Sequence, residues 1–186
     1  TVDESFKRMQ EVAITAQKDG VRLRGYISTA FGCPYAGEMS VEKLDHVLDS
    51  FFRLGVYEVS IGDTIGVATP KQVDEYLKAL KNKYDFSQIA LHFHDTRGMA
   101  LVNILKSLEN DIFIFDSSSG GLGGCPYAKG ATGNVATEDV IYLLNSYGLK
   151  HGVDLDKLVD SSNYILNQIN KSTPSKYLTT LLNKEN

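Results

Sequence analysis

The chain has 186 residues, 42% of them hydrophobic, and a formal net charge of −4 at pH 7. This composition is typical of a soluble globular domain with material for one sizeable core. The lysines are scattered, which leaves no electrostatic footprint for a phosphate backbone, so we expect no nucleic-acid partner. No apolar run approaches the length that crosses a bilayer, so we expect no membrane association.

The chain contains two cysteines, Cys33 and Cys125, and both lie in the five-residue sequence Gly-Cys-Pro-Tyr-Ala. Two cysteines in a chain of this length do not make a disulfide framework, and a reducing compartment is expected. The sequence begins at Thr1 and enters a helical pattern almost at once. We therefore expect that the beginning of the protein is missing.

Apolar spacing predicts helices and strands in alternation along the chain. The first helix runs from Asp3 to Lys18, with apolar residues at Phe6, Met9, Val12 and Ala16. Ser40, Thr69 and Thr137 are predicted to cap the helices that begin beside them, and Asp154 to cap a further helix ending near Asn170. Another helix is predicted from Gly98 to Leu108. The predicted strands are VRLRGYIS, YEVSIGD, QIALHFH and DIFIFD.

A strand followed by a helix, recurring about every 30 residues, predicts right-handed crossovers and a parallel sheet. Both a doubly wound sheet and a (β/α)8 TIM barrel fit this pattern. A nucleotide-binding Gly-x-Gly-x-x-Gly turn is not found in the required setting, which favours the barrel. A whole barrel needs about 250 residues, so this α/β chain is expected to supply roughly strands 5 to 8 plus C-terminal helices. Residues 1–150 would form the C-terminal half of the barrel, and residues 151–186 a helical extension packed on it.

The strand residues LHFHD carry the strongest local signal of chemistry. Side chains alternate along a strand, so His92 and His94 are predicted to share one face while Phe93 points to the other. Two neutral imidazoles at this spacing can hold a divalent metal. The alternative is a core histidine beside a solvated one. The polar residues from Asp95 to Gly98 favour the functional interpretation.

Further candidate residues follow two of the predicted strands. Asp63 could bind a metal-bound water, orient a histidine or take a hydroxyl proton, or it could simply bond its own turn. The glycine-rich loop 117–132 is longer than a simple connector needs to be, and its thiol Cys125 could act in acid-base or nucleophilic chemistry or could anchor the loop. Asn134 could supply an oxygen ligand. Cys33 is predicted to be structural or to line a cleft.

The segments SIGDTIGVATP, ALHFHDTRGMALVNIL and FDSSSGGLGGCPYAKGATGNVATEDVIYLL closely resemble the hydroxymethylglutaryl-CoA lyase family. The segment RGYISTAFGCPYAGE is similar to the same family, and the resemblance runs over essentially the whole chain. Isopropylmalate and homocitrate synthases share the His-x-His strand, but the Gly-Gly-Cys-Pro-Tyr-Ala loop favours the lyase.

The resemblance implies cleavage of 3-hydroxy-3-methylglutaryl-CoA, an acyl-CoA substrate, to acetyl-CoA and acetoacetate, assisted by Mg²⁺ or Mn²⁺. It implies that His92, His94 and Asn134 are metal ligands and that Cys125 is the catalytic thiol. His92, Asp63 and Glu138 are implied as further catalytic residues, and Asn170 and Lys171 as residues near the CoA nucleotide. A homodimer is expected, in the cytosol of a bacterium or the mitochondrial matrix of a eukaryote.

One departure from the family pattern concerns its first strand. The family carries there an Arg-Asp-Gly-Leu-Gln motif, and no segment of this sequence matches it. Either the chain belongs to a longer enzyme that supplies the N-terminal half of the barrel, or it is a half-barrel with weak metal binding and little turnover. Two alternatives therefore remain open: a related condensing synthase, and a non-catalytic binding or assembly module.

Overall fold

The computed structural model describes residues 2–124 and 133–183. Four parallel strands alternate with helices, as predicted, and two helices follow the last strand-helix pair. Within the described ranges, no helix is both long enough and apolar enough to cross a membrane. The elements in chain order are α1 (Val2–Lys18), β1 (Arg24–Ile27), α2 (Val41–Arg53), β2 (Glu58–Asp63), α3 (Pro70–Leu80), β3 (Ile89–Phe93), α4 (Ala100–Leu108), β4 (Ile114–Asp116), α5 (Thr137–Ser146), α6 (Leu155–Gln168) and α7 (Lys176–Leu182).

The strands are hydrogen-bonded in the order β1-β2-β3-β4, each parallel to the next. A doubly wound sheet reverses its strand order at a switch point, whereas a barrel adds strands in sequence. The sequential order therefore agrees with the barrel and not with the doubly wound alternative.

The two faces of the sheet differ sharply in polarity. Val59, Ile61 and Leu91 face the helices and are at most 1% exposed, and they belong to the main hydrophobic core. The strand residues of opposite parity are largely polar, and they include Ser60 on β2 and His92 on β3. Burial of the apolar face against the helices supplies most of the free energy of folding, and the polar face is left for chemistry.

The polar face is concave. Arg24 lies on β1 and Asp116 on β4, yet the arginine Nη2 is 2.9 Å from the carboxylate Oδ1. Three interstrand spacings would separate the two strands by about 14 Å in a flat sheet. The long arginine side chain and a curved sheet together bring the two groups into contact. This curvature is what a strand set that closes into a barrel needs.

Helix starts follow the predicted caps in three of four cases. Ser40, Thr69 and Asp154 each accept a hydrogen bond from a backbone N–H of the first turn. The prediction for Thr137 was wrong: Ala136 holds the cap position, and the Thr137 hydroxyl pairs with Ser117 instead. The helix predicted from Gly98 begins at Ala100, where Asp95 accepts the first N–H.

The face of α1 also differs from the prediction. Val12 was expected among its inward residues but is 62% exposed, and Ala13 is buried in its place. Phe6 and Met9 pack against the core as expected. The buried stripe therefore follows a helical spacing of three and four residues through Ala13 and Ala16.

Candidate active site

His92 and His94 lie at the carboxyl end of β3, on the polar face. Their ring centroids are 5.3 Å apart. Phe93, between them, is 1% exposed on the helix-facing side. The predicted alternation is confirmed, and the two imidazoles are close enough for one ion to lie between them.

Asn134 is held directly beside His94. The two residues form an antiparallel bridge, and Asn134 Nδ2 donates to the Leu122 carbonyl at 2.9 Å. The other amide atom, Oδ1, is buried and has no hydrogen-bond partner among the described residues. A buried acceptor without a donor costs about 1–3 kcal/mol. The oxygen is thus suited to meet a bound cation or a water.

The donor set fits a divalent cation that accepts nitrogen and oxygen ligands. It consists of two imidazoles and an amide oxygen and contains no sulfur. Over the described ranges, no three His, Cys, Asp or Glu side chains are grouped so as to hold a metal. The amide of Asn134 is therefore essential to the predicted ligand set.

Asp116, at the end of β4, was not singled out from the sequence. It is paired with His92 in the strand register, and its Oδ2 lies 3.6 Å from His92 Nδ1. Arg24 donates to both of its oxygens, at 2.9 and 3.1 Å, and the Ser60 hydroxyl donates at 2.6 Å. Glu58 accepts from the Nε of the same arginine.

These contacts decide the charge of the cluster. Burial alone would raise the pKa of Asp116, but the facing His92 and the hydrogen bonds from Arg24 and Ser60 outweigh it and hold that pKa well below its usual range. Burial tends to lower the pKa of Arg24, and its bonds to Asp116, Glu58 and Tyr26 raise it overall. Asp116 is therefore an anion and Arg24 a cation at neutral pH.

Asp63 lies on the other side of the sheet from the histidines. Its position in β2 is paired with Phe93, and its carboxylate accepts from the N–H groups of Val67 and Ala68 at 2.8 and 3.0 Å. Burial raises the pKa of Asp63, against the lowering effect of these donors. These contacts are those of an aspartate that bonds its own turn, here the turn between β2 and α3.

Glu138 is fully buried in the first turn of α5. Both of its carboxylate oxygens accept from the Gly120 N–H, at 3.0 and 3.1 Å, and the Ser162 hydroxyl also donates to it. Glu138 thus joins the turn Ser119–Gly121 to α6. These bonds fix the chain that leads into the glycine-rich loop.

The remaining predicted residues are Cys125, Asn170 and Lys171. Cys125 is outside the described residues. Asn170 and Lys171 are exposed at the end of α6, where Asn170 has a φ of 51°. Asparagine tolerates this left-handed backbone at helix ends, so the turn alone accounts for the residue type.

Cys33 lines a cleft of about 630 Å³ together with Glu75 and Tyr76, as expected for a cleft-wall residue. The backbone N–H groups of Tyr35 and Ala36 hold the pKa of its thiol below the usual value.

Sequential parallel strands, helices on one face and polar side chains at the strand ends define an α/β protein of the (β/α)8-barrel class. A family model described as HMGL-like matches residues 1–165. The chain belongs to this family.

Several known proteins similar to this chain are hydroxymethylglutaryl-CoA lyases. The human mitochondrial lyase is 44% identical over 176 residues, which cover 95% of this chain and 54% of the relative. The crystal structure of the Pseudomonas aeruginosa lyase is 46% identical with a TM-score of 0.94, covering 98% of this chain and 61% of that one. A lyase from Acinetobacter baumannii, solved with coenzyme A and 3-methylmalate, is 34% identical with a TM-score of 0.88 over 94% of this chain and 57% of that one.

The chain therefore spans between half and two thirds of the length of these relatives. The comparisons support the lyase family and favour neither the synthase nor the non-catalytic alternative. They do not support the predicted numbering of the four strands as 5 to 8.

Proposed function

We propose that the protein is a hydroxymethylglutaryl-CoA lyase, which cleaves 3-hydroxy-3-methylglutaryl-CoA to acetyl-CoA and acetoacetate. Because the chain spans only part of its relatives, the proposal concerns the whole protein. The observation that carries it is that His92 and His94 lie side by side at the carboxyl end of a parallel strand, with Asn134 bridged to His94 and its Oδ1 buried and unbonded among the described residues. Active sites of barrel enzymes lie at this end.

His92, His94 and Asn134 would hold Mg²⁺ or Mn²⁺. When bound, the cation supplies Lewis-acid stabilisation of negative charge on substrate oxygens. Two imidazoles and one amide oxygen leave open positions for substrate oxygens, unlike a closed structural zinc site.

The reaction breaks the C2–C3 bond of the substrate. A base removes the proton of the C3 hydroxyl, the oxygen lone pair forms the ketone of acetoacetate, and the bonding pair moves to C2 as the thioester enolate. An acid then protonates C2, which gives acetyl-CoA and restores the proton balance. We assign His92 to holding the cation, and the acid to Cys125. Gly123, two residues before Cys125 in sequence, packs against Asn134, which supports this assignment.

We assign Asp63 and Glu138 to positioning, through the turns that they hold. Asn170 and Lys171 remain candidates for contact with the CoA nucleotide, since both are exposed and Lys171 carries a positive charge. Binding of CoA to the wild type and to Lys171→Ala, compared by calorimetry, tests this part of the proposal. Equal affinity would remove Lys171 from the CoA site.

We also propose that residues 1–150 form half of a barrel, that residues 151–186 extend it, and that the whole protein is a homodimer. Within the described chain, β1 and β4 each pair with one strand only, and exposed parallel edges promote association. The native mass measures the association. For the compartment we propose the mitochondrial matrix in a eukaryotic source and the cytosol in a bacterial one.

The activity is tested by coupling acetyl-CoA release to citrate synthase. We expect release to stop on chelation, to return with Mg²⁺ or Mn²⁺, and to fall at least about 100-fold in Cys125→Ala, the usual scale for a lost acid-base group. Cys33→Ala is the matched control and should stay active. Release that persists unchanged after chelation and in Cys125→Ala would contradict the proposal.

A further inference from the structure

We propose that Asp116 is a positioning residue for His92, which it holds by Nδ1 so that Nε2 is presented to the cation. Arg24 and Ser60 hold the carboxylate in place. The inference rests on the proposed function, because it concerns a histidine that is assigned there to the metal.

The strand register provides the first argument. His92 on β3 is the direct partner of Asp116 on β4, so both side chains rise from the same face at the same level. The distance of 3.6 Å joins Asp116 Oδ2 to Nδ1 of the ring. Of the two ring nitrogens, Nδ1 is therefore the one that faces a carboxylate.

The second argument is the fixed position of the carboxylate. Arg24 engages both carboxylate oxygens, and Ser60 adds a third donor from the intervening strand β2. A planar guanidinium that binds two oxygens sets the plane of the carboxylate as well as its place. Asp116 cannot turn away while this pair is intact.

The consequence for His92 follows from the chemistry of imidazole. A neutral ring carries one proton, and a carboxylate that faces Nδ1 stabilises the tautomer with the proton on Nδ1. The lone pair then resides on Nε2, which becomes the ligand atom. Outer carboxylates that act in this way commonly change metal affinity by about 10–100-fold when they are replaced.

The variant Asp116→Asn removes the negative charge that sets this preference. Asp116 Oδ2 faces His92 and also accepts from Ser60 and from Arg24 Nη1, so the asparagine oxygen takes that place and the NH₂ group takes the place of Oδ1. Without the charge, the Nδ1–H form is less strongly stabilised over the Nε2–H form, in which the proton blocks coordination at Nε2. Glu58→Gln is the matched control, because Glu58 contacts the same arginine but is not among the groups bonded to Asp116.

The test is carried out on the whole protein, free of metal and labelled with ¹⁵N-histidine. Long-range ¹H–¹⁵N spectra identify the tautomer of His92, with the signal assigned by its loss in His92→Gln. We expect the Nδ1–H form to predominate in wild type and Glu58→Gln, and the fraction of the Nε2–H form to increase in Asp116→Asn. A wild-type ring protonated on Nε2 would overturn the inference, even if Asp116→Asn fails to fold.

Mn²⁺ binding, followed by electron paramagnetic resonance, is the second readout. We expect Asp116→Asn to weaken binding by about 10–100-fold, and Glu58→Gln to leave it unchanged. Equal binding in wild type and Asp116→Asn would show that the Arg24–Asp116 pair only ties the strands together. If His92→Gln binds Mn²⁺ as the wild type does, the proposed metal site fails, while the tautomer of the wild-type ring still tests the role of Asp116.

Discussion

Replacing Glu138 by alanine would remove the buried acceptor that joins α5, α6 and the turn Ser119–Gly121. In the structure, the Gly120 N–H and the Ser162 hydroxyl both donate to this carboxylate. Ser162 also lies 2.5 Å from the Ser119 hydroxyl oxygen, so it keeps a second partner when the carboxylate is removed. The Gly120 N–H has no such replacement among the bonds described around it.

The loss of stability follows from the Gly120 N–H, which Glu138→Ala leaves without an acceptor. One buried N–H without an acceptor is worth about 1–3 kcal/mol, and the space left by the side chain adds a cavity term. We expect Glu138→Ala to lower the free energy of unfolding by about 2–4 kcal/mol. Glu138→Gln keeps one oxygen for Gly120 and offers its amide NH₂ to Ser162, so we expect it to cost less than about 1 kcal/mol.

Urea unfolding, followed by circular dichroism and tyrosine fluorescence, measures both values, since the chain has no tryptophan and ten tyrosines. With a slope of about 2 kcal/mol per M, the alanine midpoint should fall by about 1–2 M. An alanine variant as stable as the wild type would refute the argument. A glutamine variant as unstable as the alanine variant would show that the charge, and not the hydrogen bonds, stabilises the turn.

Three further predictions concern stability away from the histidines. Leu48→Ala in the core should cost about 2–5 kcal/mol, whereas the control Val12→Ala, at an exposed position, should change stability by less than about 0.5 kcal/mol in the same urea titration. Asp45 has a pKa lowered chiefly by Lys83, so its stabilising effect is present above the usual carboxyl pKa and is lost as the pH falls through the lowered value. Asp45→Asn should therefore flatten the decline of the urea midpoint in acid, and an unchanged decline would contradict this. Ser175→Ala removes the cap of α7 and should cost about 1 kcal/mol, seen as a lower melting temperature; an unchanged melting temperature would contradict it.

Local chemistry explains which parts of the fold the sequence predicts. Alternating strand and helix patterns predict the parallel sheet, because the periods of a strand and of a helix can both be recognised from residues close together in the sequence. The caps at Ser40 and Thr69 follow from side-chain oxygens that can reach the N–H groups of the first turn. The prediction of Thr137 as a helix cap was wrong because its hydroxyl pairs with that of Ser117, 20 residues earlier. A propensity is overridden where tertiary contacts compete for the same atom.

The candidate site was predictable in part. The pairing of His92 with His94 follows from the two-residue period of a strand. Asp116 was missed because its partner Arg24 is 92 residues away, and nothing local marks the pair. One signal in the sequence could have identified it. Asp116 is the last residue of β4, and His94 directly follows the last residue of β3. The ends of neighbouring parallel strands lie close together. Asp63 also closes a strand, but its parity turns it to the other face.

The curvature of the sheet has a consequence for how the histidine cluster responds to distant change. Arg24 on β1 holds the Asp116 carboxylate beside His92, so β1 and β4 cannot move apart without displacing that carboxylate. A change in the curvature of the sheet should therefore change the orientation of the His92 ring. Phe51 packs against Gly25 beneath β1. A substitution that changes the size of Phe51 should therefore alter the ion affinity of the histidine site, which Phe51 does not contact.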